Sequence, residues 1–351
     1  MTLSLNNTHI LIVGGAGFVG SNLAKLLIKT NDTLRVTVLD NLLSAEKFNI
    51  PDSPRVRFIE GSVSDDKTLA KVKDEYDFIF HLATYHGNQS SIHDPLKDHQ
   101  NNTLTTLKLY ETVKNFKQLK KIVYSSAGCS VAAKTFGTAV ATVESEETSI
   151  IHDSPYSISK IIGEFYSSYY FRQHQVPVVR LRFQNVFGPG EVLGAGQWRG
   201  TPATVWRNVT PTFIYRALKG LPLSVENKGI ATRDFIFVED ICRGLIAAAR
   251  KGKAGDVYNL ASGKQKSIRE LADQINRITK NKAGLIFLPK RSWDNSGKRY
   301  GSTVKSKKEL GFECKTEFDK GLEKTIRWTR ENMALIEKTM AKHKKHMPID
   351  R

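Results

Sequence analysis

The stretch SPYSISK, Ser154 to Lys160, places a phenol one helical turn before an ammonium. Ser154 suits an N-cap and Pro155 the first helical position. The run that follows, YSISKIIGEFYSSYYFRQH, has no proline and one glycine, so it predicts a helix. Tyr156 and Lys160 then share a face. Held together, the two groups can move a proton; the same spacing also fits an ordinary surface aromatic beside a cation. A second constellation, GGAGFVG, spaces Gly14, Gly17 and Gly20 as GxxGxxG between an apolar run and a helical pattern. The glycines permit a tight turn and close backbone approach. The N–H groups at the helix start, around Phe18 and Val19, then face an anion such as a dinucleotide pyrophosphate. Asp40 ends the next apolar run, twenty residues beyond Gly20. A carboxylate there accepts from ribose hydroxyls and repels a 2′-phosphate. The following NLLSAEK holds one lysine and no arginine, which favours NAD over NADP.

These groups need a scaffold, and the first half of the chain supplies one. HILIVGG, LRVTVLD, VRFIEGS, DFIFHLA, KKIVYSS and PVVRLRF are apolar runs ended by small or polar residues. Helical patterns (SNLAKLLIKT, TLAKVKDE, NTLTTLKLYETVKNF and the Tyr156 run) separate most of them. This alternation predicts an α/β fold, a Rossmann-type doubly wound parallel sheet, with ligands at the carboxyl ends of the strands.

The 351 residues suffice for about two domains, and 40% hydrophobic with 25% charged residues describes a soluble globular protein. No apolar stretch reaches the roughly 18 residues of a membrane span. The N-terminus lacks a signal-peptide pattern. Cys129, Cys242 and Cys314 lie far apart without a CxxC, which argues against disulfides and against a metal site and suggests a cytoplasmic protein. The net charge of +18 has a share in the tail KTMAKHKKHMPIDR, expected as a solvated end. The remaining charge suits an anionic substrate; no nucleic-acid motif accompanies it.

Taken together the motifs resemble the extended short-chain dehydrogenase/reductase family of nucleotide-sugar epimerases and dehydratases. The matching pieces are GGAGFVG, LDN (39–41), HLAT (81–84), Asn102 in NNT, YSSAG (124–128), Tyr156-x-x-x-Lys160, RFQNVFGP (182–189) and RDFIFVEDI (233–241), in family order. The resemblance implies an NAD-binding domain over 1–187 plus about 228–258, and a smaller substrate domain over 188–227 and 259–335. The basic tail, 336–351, follows. Asn41, Ser62, Val63, Leu82, Ala83 and Asn102 would join the glycine loop, Asp40, Tyr156 and Lys160 around NAD. A nucleotide-diphosphate sugar would meet His86, Asn185, Arg233 and Arg291, with Arg299 an alternative to Arg291. The resemblance also implies a homodimer built on the Tyr156 and NTLTTLKLYETV helices. Tyr166, Tyr169, Tyr170 and Phe171 give the first of these more apolar surface than one core stripe needs.

A free tyrosine, with a pKa of about 10, is a poor base. The Lys160 ammonium and an oxidised nicotinamide ring are expected to lower it, so that Tyr156 takes a proton from a sugar hydroxyl. A serine after KKIVY, Ser126 or else Ser125, is expected to hold the reacting oxygen. Ala127, Gly128 and Cys129 occupy the places where dehydratases of this family carry their acidic pair. This favours a C4 epimerase over a dehydratase or decarboxylase, with a one-way oxidoreductase and a non-catalytic NAD sensor as alternatives. Cys129 is either an acid/base for epimerisation at C3 or C5 or a small buried hydrophobe. Two stretches depart from the family pattern: Glu226 in LPLSVEN, and residues 193–211 with Trp198, Arg199, Trp206 and Arg207. The indoles there either stack on a base or pack the smaller domain.

Overall fold

The computed structural model describes residues 2–85, 87–132, 135–295 and 297–347. All six expected strands form: β1 His9–Val13, β2 Arg35–Asp40, β3 Val56–Glu60, β4 Phe78–His81, β5 Lys121–Ala127 and β6 Val178–Phe183. A seventh, β7 Val257–Leu260, which the sequence pattern does not single out, lies across the expected lobe boundary and pairs with β6. The sheet is parallel throughout, in the order β7-β6-β5-β4-β1-β2-β3. Successive residues of each strand feed opposite faces. Ile10 and Ile12 pack with Leu23, Leu27 and Leu245 of α1 (Phe18–Thr30) and a later helix. Leu11 and Val13 pack with Leu109, Tyr110 and Tyr170 of α2 (Thr105–Val113) and α3 (Pro155–His174). Two-sided burial explains why these strands read as continuous apolar runs.

Strand order reverses between β1 and β4, and this opens a crevice at their carboxyl ends. Gly14 fits there because it has no side chain: at φ +84 a Cβ would lie 2.5 Å from the Ala83 nitrogen. Gly20 in turn lets α1 close on the loop, where a Cβ would lie 2.3 Å from the Gly14 oxygen. Helix α3 begins as expected, with Ser154 capping and Pro155 in the first turn. The helix expected over TLAKVKDE is shorter, Asp66–Leu69, because the chain then turns to bury Val72 and Tyr76.

A second lobe packs α4 (Val209–Leu218), α6 (Ile268–Thr279) and α7 (Phe318–Glu331) around Phe213, Leu223, Phe235, Leu271 and Leu322. Between α4 and α6, helix α5 (Val238–Lys251) returns the chain to the sheet and supplies Leu245. The tail expected to be solvated is packed in part, as far as it is described. Helix α8 (Met333–Ala341) buries Ile336 and Met340 against Val192, Leu193 and Val205, and His343 is buried beyond it. No helix among the described residues is long and apolar enough to cross a membrane.

Candidate active site

A cleft of about 780 Å³ lies between the strand ends and the second lobe, bordered by Gly14, Tyr156 and Lys160 on one side and Arg233, Phe213 and Ile268 on the other. The size falls within the usual range for a small-molecule site. Its floor is the glycine loop and the start of α1. Gly17 caps that helix without a side-chain hydrogen bond, and the first turn carries no acidic residue. The free N–H groups and the positive end of the helix dipole therefore suit an anion. Phe18, Val19 and Gly20 border the same space, as do Asn41, Ser62, Val63, Leu82 and Ala83.

Asp40 borders the cleft and also holds its floor. Its carboxylate accepts from the backbone N–H of Ala16 at 3.0 Å and of Leu42 at 2.8 Å. Burial pushes its carboxyl up, and those N–H groups pull it back. Two backbone bonds leave a carboxylate further acceptor capacity, so ribose hydroxyls can still be served.

Lys160 is 4% exposed and donates to the Ser125 carbonyl at 2.9 Å. Burial lowers it to about 8, while the nearby Asp98 carboxylate acts in the opposite direction. Tyr156 is half-buried, with the Lys160 nitrogen 5.9 Å from its ring centre. The expectation of a lowered phenol is not met in the protein alone. Burial raises it, and the Cys129 and Asp98 side chains raise it further. Thr84 stands near enough to pull the phenol back, and its hydroxyl donates to Asn102 at 3.0 Å; Asn102 donates to Asp98 at 2.7 Å.

Asn102 accordingly differs from its expected place. It does not border the cleft, because its amide is turned back to brace Thr84 and the Tyr85 N–H; Asn101 borders the cleft instead. Asp98, fully buried and also bonded to Ser159, escaped the sequence reading, which had no local signal for it.

The two serines border the cleft, but their hydroxyls serve other partners. Ser125 donates to the His81 carbonyl at 3.0 Å, a group at the last residue of β4. Ser126 faces α3 and donates to Glu164 at 2.6 Å. Glu164 also forms a buried two-bond pair with Arg182, each contact 2.9 Å. Ala127 has no hydroxyl. Cys129 borders the cleft, partly exposed and close enough to act electrostatically on Tyr156, Lys160 and Arg233.

Of the expected substrate contacts, Asn185, Arg233 and Arg291 border the cleft, and so does Arg299. Arg233 is 9% exposed and donates to the Thr232 and Gly297 carbonyls. Burial, and then Arg299, lower it to about 9. Arg291 is paired with Glu226, one of the residues that departs from the family pattern, and lies 5.5 Å from the Trp293 ring centre. His86 lies outside the described residues. Trp198 packs rather than stacking on a ligand, with the His346 ring 4.6 Å away and parallel.

Fold and cleft define a dinucleotide-binding α/β protein with a tyrosine–lysine pair beside the cofactor floor. Residues 10–261 match the family described as the NAD dependent epimerase/dehydratase family, and the chain belongs to it. Its cofactor is NAD. The crystal structure of the Bordetella bronchiseptica enzyme WbmF in complex with NAD+ and UDP is 62% identical over 98% of each chain, with a TM-score of 0.87. The UDP-glucose 4-epimerase of Thermotoga maritima, solved with UDP-glucose, is 28% identical over 93% of this chain and 99% of its own, with a TM-score of 0.82. A trifunctional UDP-glucose 4,6-dehydratase/UDP-4-keto-6-deoxy-D-glucose 3,5-epimerase/UDP-4-keto-L-rhamnose-reductase of Arabidopsis thaliana is 26% identical over 332 residues. The match takes in 92% of this chain but 47% of that relative, so this chain spans about half of its length.

One further acid borders the cleft. Glu191 is 5% exposed, and burial raises its carboxyl from the ordinary 4.5 to about 7, against an opposing pull from Arg207. The folded state therefore binds the extra proton, and stability falls as pH rises from 4.5 to 7. We expect the ligand-free protein to lose up to about 3 kcal/mol across that window through this group. Glu191→Gln should flatten the slope, as read from urea unfolding at each pH.

Proposed function

We propose that the protein is a nucleotide-sugar epimerase acting at C4 through a transient 4-keto sugar. The observation that carries this reading is one cleft that joins an anion-binding helix start, the Tyr156–Lys160 pair, and the Arg233 and Arg299 cations that also line it. Residues 1–187 with about 228–258 form the cofactor lobe in this reading, and 188–227 with 259–335 the sugar-nucleotide lobe. Bound NAD would supply a hydride acceptor and donor and, when oxidised, a positive charge that favours the phenolate. Tyr156 removes the proton of the C4 hydroxyl and later returns it. Lys160, kept charged by Asp98, stabilises the phenolate. Arg233 and Arg299 hold the diphosphate, where each charge-assisted contact is worth roughly 1.5–3 kcal/mol. A UDP carrier is the favoured one, because UDP or a UDP-sugar accompanies two of the similar structures.

A second reading follows from the serines. With Ser125 and Ser126 bonded elsewhere, Cys129 presents a thiol among Tyr156, Lys160 and Arg233. Once C4 is a ketone, the protons on C3 and C5 become acidic. Cys129 would then take one of them to leave an enolate, and a proton from solvent delivered to the opposite face would invert that carbon.

The exposed face of α3 supports a homodimer. Ile158, Phe165 and Tyr169 fall on one side of the helix and are 45%, 61% and 52% exposed, whereas Tyr170 is in the core. Two copies of α2 and α3 packed about a two-fold axis would cover them.

The purified protein should interconvert UDP-hexoses without net absorbance change at 340 nm. Tyr156→Phe should lower kcat by at least about 10² while NAD affinity holds, since general acid/base catalysis contributes about 10² to 10⁴; a loss below tenfold would sink the acid/base role. Turnover in D2O separates the two readings. C4 epimerisation leaves carbon-bound deuterium out of the product, whereas the Cys129 reading places it at C3 or C5, and Cys129→Ala removes it. Light scattering at micromolar concentration should give a dimer, and Phe165→Asp a monomer.

A further inference from the structure

Residues 188–208 cross the cofactor side of the cleft as a strap, fastened along its length. Near its start, Asn22 of α1 donates to the Pro189 carbonyl at 3.0 Å. Further on, Gln197 N–H donates to the Leu43 carbonyl at 3.0 Å, and Gly196 N–H to Glu46 at 2.8 Å. The C-terminal segment closes over it: Lys342 pairs with the same Glu46, and His343 lies 2.9 Å from the Gly194 carbonyl.

Beneath these fastenings the polar groups do not match. Arg199 is 3% exposed; one of its nitrogens reaches the Ser44 hydroxyl, but Nε and Nη2 have no partner. Arg207 donates to the carbonyls of Ser44 at 2.9 Å and Ala195 at 3.3 Å, and its Nε has none. Glu191 accepts from Asn208 at one oxygen, and the other is unpartnered. Arg207 also sits at φ +38, a backbone region that non-glycine residues rarely occupy and that clusters at ligand clamps. Buried groups left this way are costly unless a ligand completes them.

Arg207 and Glu191 border the cleft together with Ser44 and Asn41. Unused N–H donors beside an unused carboxylate oxygen ask for a ligand with phosphate oxygens and a hydroxyl, which is a phosphoribosyl group. Two molecules could bring one: the dinucleotide or the carrier of the sugar. The partners favour the first. Ser44 lies on the loop that leaves Asp40, and the strap begins against α1, whose N-terminus forms the diphosphate floor.

We propose that Arg207, backed by Arg199, donates to the diphosphate of the bound dinucleotide, that Glu191 accepts from a hydroxyl of its adenosine ribose, and that the strap thereby retains the cofactor through turnover. The inference rests on the cleft holding NAD and is independent of which carbon of the sugar reacts.

Calorimetric titration of the ligand-stripped full-length protein with NAD, ADP, adenosine and UDP tests it. Arg207→Ala should weaken NAD and ADP at least tenfold and leave adenosine and UDP within twofold. Arg207→Lys should recover part of the loss. Glu191→Gln, which keeps the shape, should weaken NAD and adenosine together. NAD affinity within twofold of the parent in Arg207→Ala overturns the proposal. So does an equal loss of ADP and adenosine, or a loss confined to UDP, which would assign Arg207 to the sugar carrier. Should Arg207→Ala fail to fold, as judged by its thermal melt, Arg207→Lys decides: unchanged ADP affinity overturns the proposal and a severalfold loss supports it. A protein that binds NAD in this pattern yet converts no sugar would refute the epimerase reading alone.

Discussion

The buried ammonium of Lys160 is the constraint around which the site is built. An ammonium 4% exposed, lowered from 10.5 to about 8, has given up about 3 kcal/mol of its preference for the charged form. It remains tolerable because the Ser125 carbonyl takes one of its hydrogens and Asp98 stands near. Asp98 is held by Ser159 and Asn102, and Asn102 in turn holds the loop after β4. The ends of β4 and β5 and the start of α3 are thus tied to one charge. Burial, and then the Cys129 and Asp98 side chains, raise the phenol, so the protein alone keeps Tyr156 protonated. A positive ring beside it is what would make it a base, which links proton transfer to the presence of the oxidised cofactor.

A second consequence concerns the hydroxyls after β5. The strand alternates, so Ser126 points toward α3 and meets the Glu164–Arg182 pair. Removing a partner from a buried ion pair costs several kcal/mol, and Ser126 completes that pair. Its conservation of structure and its availability to a substrate are therefore in competition. With Ser125 bonded to the end of β4 and alanine at 127, the thiol of Cys129 becomes the chemically distinctive group beside the tyrosine.

The strap and the chain end change how the cleft is read. Arg199, Arg207 and Lys342 contribute to the high positive charge, yet each is engaged with the loop that follows Asp40 or with its Glu46. Part of the basicity is therefore structural, with Arg199 buried and Lys342 paired at the surface. The helix that leads into the tail is anchored, because Ile336 and Met340 complete a small core with the strap.

The sequence by itself determined what depends on short stretches of backbone. Strand alternation, the glycine loop, the Ser154–Pro155 helix start and the four-residue step from Tyr156 to Lys160 all rest on local periods and turn chemistry. Those periods placed six strands, the cofactor floor and the tyrosine–lysine pair. Tertiary structure decided what depends on partners far along the chain. Asp98 meets Ser159, Ser126 meets Glu164, Arg291 meets Glu226, and Lys342 meets Glu46. A side chain's charge state and direction follow from how deeply it is buried and which group it meets. Neither is encoded in its immediate neighbours, so a serine in a matching motif could give its hydroxyl to Glu164 while an unremarked aspartate came to sit beneath the cleft.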